Sequence, residues 1–308
     1  MIPSELGASI AMLLASALAF VNGVEALGER LGLTRFATGS LLAAALTALP
    51  ELIIAVVSPF HEAAAAREVG ITSVVAAPSI TLLIGAPIVG LFLKDPETPR
   101  KVSRTYLRFS VLMLPALLTP FLSSPAFLFA LGSFYLLAFV LVGRSILREP
   151  GELMEAEASY LERLAGRRST ALVALQTASS SLLMVWAADA FLDSVVVTGN
   201  PLAYGLLLSP LATCLVEVLV AFLWTARGNA SMGLSLLSGE NVLQSSLVIG
   251  LGLVATGSAV PAEELWAVAL YSAFGALYAV LLRRHSARLL VVGIAGYALY
   301  LLIGASLL

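Results

Sequence analysis

The sequence predicts an all-α membrane protein of about ten transmembrane helices, built as two inverted five-helix repeats. Three observations carry that prediction. Of the 308 residues, 59% are hydrophobic and only 12% are charged, with a mean hydropathy of +0.98; a soluble domain runs at about 45–50% apolar and about 25% charged. The basic residues crowd into alternate connections, and a stretch of the first half is echoed in the second. Such a chain cannot clothe itself in hydrated surface, which excludes a soluble enzyme. Two His and one Cys exclude a disulfide framework, a zinc-finger-type site and a multi-Cys cluster. A formal charge of −2 offers no basic field to nucleic acid.

The spans follow in order. A helix needs roughly 20 apolar residues to cross a bilayer. The first apolar stretch begins near Leu6, has no Lys or Arg before it and runs too long for a cleavable signal. It reads as the first span, centred near Leu14. The next four centre near Leu46, Leu82, Met113 and Leu136, divided by Pro and Gly clusters and by charge runs. Residues 148–168 are the one long polar segment, expected to form an amphipathic cytoplasmic helix that serves as a connector. Five more spans centre near Leu182, Val216, Leu247, Leu270 and Gly296. The chain therefore divides into a first repeat at 1–147, a linker at 148–168 and a second repeat at 169–308.

Orientation comes from charge. Of the 17 Lys and Arg, all but Arg67 fall in the odd-numbered connections. By the positive-inside rule those connections are cytoplasmic and both termini lie outside, with the cell (plasma) membrane as the expected location. Val24 to Leu52 is echoed by Ala188 to Val218: Glu25 pairs with Asp189, Glu29 with Asp193, Thr34 with Thr198, Gly39 with Gly205, Thr47 with Thr213 and Glu51 with Glu217. Because each repeat holds five helices, an odd number, the second enters the membrane inverted. Repeats of this kind are typical of transporters, with the substrate site at their interface.

Three carboxylates fall inside spans: Glu51, Glu217 and Glu240. Each costs roughly 2.5–3.5 kcal/mol at the bilayer centre, so a bound cation is the expected compensation. Thr47 precedes Glu51 by four residues and Thr213 precedes Glu217 by four, which puts each hydroxyl on its carboxylate's face. Pro50 and Pro210 free the carbonyls of Leu46 and Leu206. Gly233, Gly239 and Asn241 suggest a broken helix around Glu240. Such an all-oxygen set suits hard ions such as calcium, magnesium or sodium. His61 and His285 read as loop residues. Glu25, Glu29, Asp189 and Asp193 read as solvated or capping groups near helix ends. Trp186, Trp224 and Trp266 read as interfacial anchors. An intramembrane enzyme would need a nucleophile beside a base or a metal triad, and no H-E-x-x-H or G-x-S-x-G element occurs.

At these residues the chain resembles the sodium/calcium exchanger (calcium:cation antiporter) superfamily. LGLTRFATGSLLAAALTALPEL, from Leu31 to Leu52, is similar to the first alpha-repeat of that family, and LLLSPLATCLVEVLVA, from Leu206 to Ala221, to the second. GNASMGLSLLSGENVLQ, from Gly228 to Gln244, resembles the element on the following helix. The resemblance implies that Glu51 and Glu217 are the central calcium-binding glutamates, with Thr47 and Thr213 beside them. It places Glu240, Asn241 and Gln244 as further ligands, and Ser79 or Thr81 as the contribution of the third helix. It also marks departures: the motif serines that help bind sodium are Ala48 and Cys214 here. What it implies is a cation antiporter without cofactor, exchanging calcium for sodium or protons by alternating access. Helices two, three, seven and eight would form the site, and the first and sixth would slide as gates. A proton- or potassium-coupled exchanger of magnesium or manganese stays open as the alternative, and a passive channel fits inverted repeats less well. The expected partners are inorganic cations and the lipid bilayer; the residues leave monomer and homo-oligomer both open.

Overall fold

The computed structural model describes residues 2–49, 52, 76–122, 124–195, 214–257, 259–283 and 286–306. These are mostly helical, with no strand among them beyond one isolated bridge. Helix α1 is Ile2–Arg30. After a turn, Thr34 caps α2 by accepting from the Ala37 amide at 3.1 Å; α2 runs over residues 35–47. Helix α3 is Pro78–Gly90, and α4 is Thr98–Met113, continued by a 3₁₀ turn at Leu114–Leu118. Ser124 caps α5, Pro125–Leu147, which opens on a proline at its first position. Short α6 is Tyr160–Ala165 and α7 is Thr170–Val195. Helix α8 is Leu215–Ala226, α9 covers residues 230–256, α10 is Leu265–Leu281 and α11 is Ser286–Ser306.

Each of the ten expected span centres falls inside a helix, and α6 lies in the linker. By length and composition five of the described helices can cross a membrane: Gly7–Arg30, Pro125–Leu147, Thr170–Ala187, Ala230–Ala255 and Arg288–Ser306. Pro78–Gly90, Leu215–Ala226 and Leu265–Leu281 are shorter apolar helices.

Packing interlaces the two halves. Helix α1 lies along α7, α4 along α10, α5 against α9 and α11 against α3. These contacts match in pairs when α1–α5 are set beside α7–α11. Helix α9 is the most buried of the five long helices and touches α2, α3, α4, α5 and α8. Small residues permit this: a Cβ on Gly239 would collide with the backbone of Ser40, so α2 and α9 meet without side chains between them.

Among the described residues three helices carry a π turn: Thr38–Ala43 in α2, Thr81–Gly85 in α3 and Gln244–Val248 in α9. Such turns are rare and concentrate at functional sites. The last corrects one expectation. Glycines and Asn241 suggested a break around Glu240, yet Ala230–Leu243 is regular α-helix and the irregularity begins one turn later. The glycines serve close packing instead.

The linker corrects another. It is not one amphipathic helix; only Tyr160–Ala165 is helical. The rest is an irregular strap, held down by the Arg35 amide on the Glu152 carbonyl (2.9 Å), the Met154 amide on Leu33 (2.8 Å) and Lys101 Nζ on Pro150 (2.5 Å). Polar residues here satisfy backbone groups of neighbouring helices, which periodicity alone does not reveal. The strap also joins the odd-numbered connections at one end of the bundle: a cleft of about 840 Å³ is shared by Arg35, Lys94, Glu152 and Asn229.

Candidate functional site

Helices α8 and α9 form a tight hairpin through residues 227–229. Gly233 lets the α9 backbone sit on Ala221, whose carbonyl would lie 2.6 Å from an added Cβ. In that register Glu240 lies near the level of Cys214, about one turn from Glu217. Both acids are wholly buried, at 0% exposure. Glu217 occupies the first turn of α8, where the helix dipole favours negative charge.

Polar side chains gather around them. Gln244, in the π turn, donates from Nε2 to Glu240 Oε1 at 3.1 Å. Its own Oε1 is buried and has no hydrogen-bond donor among the described residues. Asn241 donates from Nδ2 to the Leu237 carbonyl (2.7 Å), which turns its Oδ1 to accept from Thr81 Oγ1 at 3.2 Å. Thr81 is therefore an α3 side chain that hydrogen-bonds α9, while Ser79 is buried close by in the same segment. Cys214 donates from Sγ to the Ala77 carbonyl at 3.2 Å, tying α8 to the start of α3. Thr47 is buried and its hydroxyl is turned back onto Ala43 and Ala44 (3.1 and 3.3 Å). The α2 turn that bears it packs on both α8 and α9. Among the described residues no Lys or Arg is buried, and no group of three or more acids, His or Cys forms.

The structure thus brings together Glu240, Asn241, Gln244 and Thr81, with Glu217, Thr47 and Ser79 buried on the helices that pack around them. Glu51 and Thr213 lie outside the described residues, as do Pro50, Pro210, His61, Arg67 and His285. Amide, carboxylate and hydroxyl oxygens, with no imidazole among the described residues and the Cys214 thiol turned onto a backbone carbonyl, suit a hard cation.

Two residues outside this cluster depart from expectation. Trp224 is no interfacial anchor: it is fully buried and donates from Nε1 to Glu25 Oε1 at 2.7 Å. Glu25 is correspondingly half-buried between α1 and α8 rather than solvated or capping. The tryptophan type alone cannot tell an anchor from a donor. Trp186 is exposed on the outer face of α7, as an anchor would be, and Trp266 packs on Tyr300. The side chains of Asp189 and Asp193 lie outside the description.

At the arginine-rich end, Glu162 locks the linker. Its carboxylate accepts from the Ser159 amide (3.0 Å), the Ser169 amide (2.7 Å) and Arg30 Nη2 (2.7 Å), and Ser159 and Glu162 form a capping box. Burial works against the charge, but these amides, the guanidinium and the Ser159 hydroxyl outweigh it and hold the acid below the usual carboxylate range.

Comparison with known proteins adds the family. The family model described as "Sodium/calcium exchanger protein" matches residues 5–147 and 172–305. Among curated protein sequences none matches. Solved structures of the sodium-calcium exchanger NCX_Mj share the fold. With the form soaked in 2.5 mM Na+ and 1 mM Sr2+ the TM-score is 0.73 at 18% identity, covering 98% of this chain and 97% of that one. With the form soaked in zero Na+ and Ca2+ it is 0.71 at 15% identity, covering 96% and 97%.

Proposed function

Because the chain belongs to the sodium/calcium exchanger family of membrane cation antiporters, we propose that it exchanges calcium for sodium or protons at the cluster around Glu217 and Glu240. One observation carries this reading: the buried Gln244 Oε1, without a donor among the described residues, in a π turn beside Glu240. A buried acceptor without a donor costs about 1–3 kcal/mol, which a bound cation offsets. Glu51 and Thr213 complete the set from the two elements of the internal echo, with Thr47, Asn241 and Ser79 or Thr81 supplying further oxygens. Opposing ions compete for the same carboxylates. An empty site is too costly to carry across the bilayer, so the two fluxes are coupled. The first and sixth spans, α1 and α7, lie along one another and are the sliding pair. The two repeats are 1–147 and 169–308, both termini outside and the arginine-rich end in the cytoplasm.

A specific observation favours protons as the counter-ion. Where the family serine would offer an oxygen, the Cys214 thiol donates to the Ala77 carbonyl, and Ala48 offers nothing. The deciding experiment is radiolabelled calcium uptake into proteoliposomes under imposed sodium, proton or potassium gradients. Uptake driven by an outward proton gradient and indifferent to sodium supports the proton route. Uptake that follows the sodium gradient supports sodium. Calcium flux that needs no counter-ion overturns exchange altogether.

A further inference from the structure

Helices α4 and α5 run antiparallel and are stitched together near the arginine-rich end. Arg108 Nη2 donates to Ser145 Oγ at 2.8 Å, and Arg104 Nη1 donates to Glu149 Oε1 at 3.0 Å. The rungs step by four residues on each side, so Arg144 and Arg148 flank the same seam, and both are exposed. Arg144 and Arg148 at the end of α5 suit that helix's dipole, but this does not account for the α4 pair. Like charges four residues apart destabilise a helix, and α4 repeats Arg at 100, 104 and 108. Among the described residues the acid paired to the seam is Glu149 alone; Arg108 meets only a neutral hydroxyl, and Arg104 is 58% exposed. One turn toward the middle of the bundle the same faces become apolar and exposed, with Val111 on α4 and Leu141 on α5.

A surplus of guanidinium forks above an outward apolar face calls for a ligand that is anionic at one end and greasy at the other. We propose that this seam binds the headgroup phosphate of an anionic phospholipid, held by Arg104, Arg108, Arg144 and Arg148, with its acyl chains along Val111 and Leu141. The planar fork of arginine matches phosphate oxygens in pairs, which lysine does not.

The test uses the purified full-length chain in detergent, following thermal unfolding as phosphatidylglycerol or phosphatidylcholine is added. Phosphatidylglycerol raises the midpoint and phosphatidylcholine does not. R104Q/R108Q weakens the apparent phosphatidylglycerol affinity by roughly tenfold or more, while R167Q/R168Q, which removes as much charge from the linker, leaves it unchanged. R104K/R108K, which keeps the charge and loses the forks, falls between and serves if the glutamine pair does not fold. Equal loss in the seam and linker variants overturns the site in favour of general surface charge. The same midpoint shift with soluble glycerol phosphate overturns the lipid in favour of a free anion. No shift with any lipid overturns it outright.

Discussion

At the scale of single residues, the sharpest expectation concerns the two acids at equivalent positions of the internal echo. E51Q and E217Q each keep side-chain shape and remove one charge from the ion's surroundings. Divalent uptake should fall roughly a hundredfold in either, with unfolding midpoints near wild type, as for removing one member of a buried charge pair. Near-normal uptake in a folded E217Q would take the central site away. The burial of Glu217 and Glu240 was legible because an ionisable residue in an apolar span stands out against its neighbours. Thr81 was only half legible: a hydroxyl near a proline is common, and its partner Asn241 lies 160 residues away. Trp224 was misread because burial and a carboxylate partner across α1 leave no trace in local composition.

At the scale of elements, the direct contact of α2 with α9 makes its own prediction. G239V forces two branches into the Ser40 backbone, and overpacking of this kind costs about 1–3 kcal/mol. The midpoint should drop, and uptake should fall more than stability does, because the displaced helices carry Thr47 and Glu240. G239V with wild-type uptake would mean that the approach is loose. The linker strap predicts a pH response. The Glu162 carboxyl is held below its ordinary value of 4.5, so the folded chain binds that proton less readily than the unfolded one. Its contribution is therefore complete above pH 4.5 and drains away as pH falls through the folded value. E162Q should be less stable at neutral pH by about 1–3 kcal/mol, and its midpoint should fall less steeply below about pH 5. Parallel curves would strip Glu162 of that part. The helix centres followed from apolar length. The π turns did not, since an extra residue in a turn changes hydrogen bonding without changing composition.

For the whole molecule, the gathering of arginine-bearing connections at one end turns the charge bias into a test of sidedness. In a C214S background, a cysteine placed at Gly151 on the strap should react with an impermeant maleimide only after the membrane is opened. One placed at Gly7 should react from outside in intact cells. Reversed labelling would invert the orientation. The interlaced pairing has a consequence for biosynthesis. Helices α1, α3 and α5 find their main partners in α7, α11 and α9, all of which leave the ribosome later. The first five helices are therefore made before those partners exist, and α3 gains its α11 contact only after α11 has been made. Two fragments divided within 148–168 should therefore assemble when made together and not when either is made alone, because every one of those helix pairs is split between them.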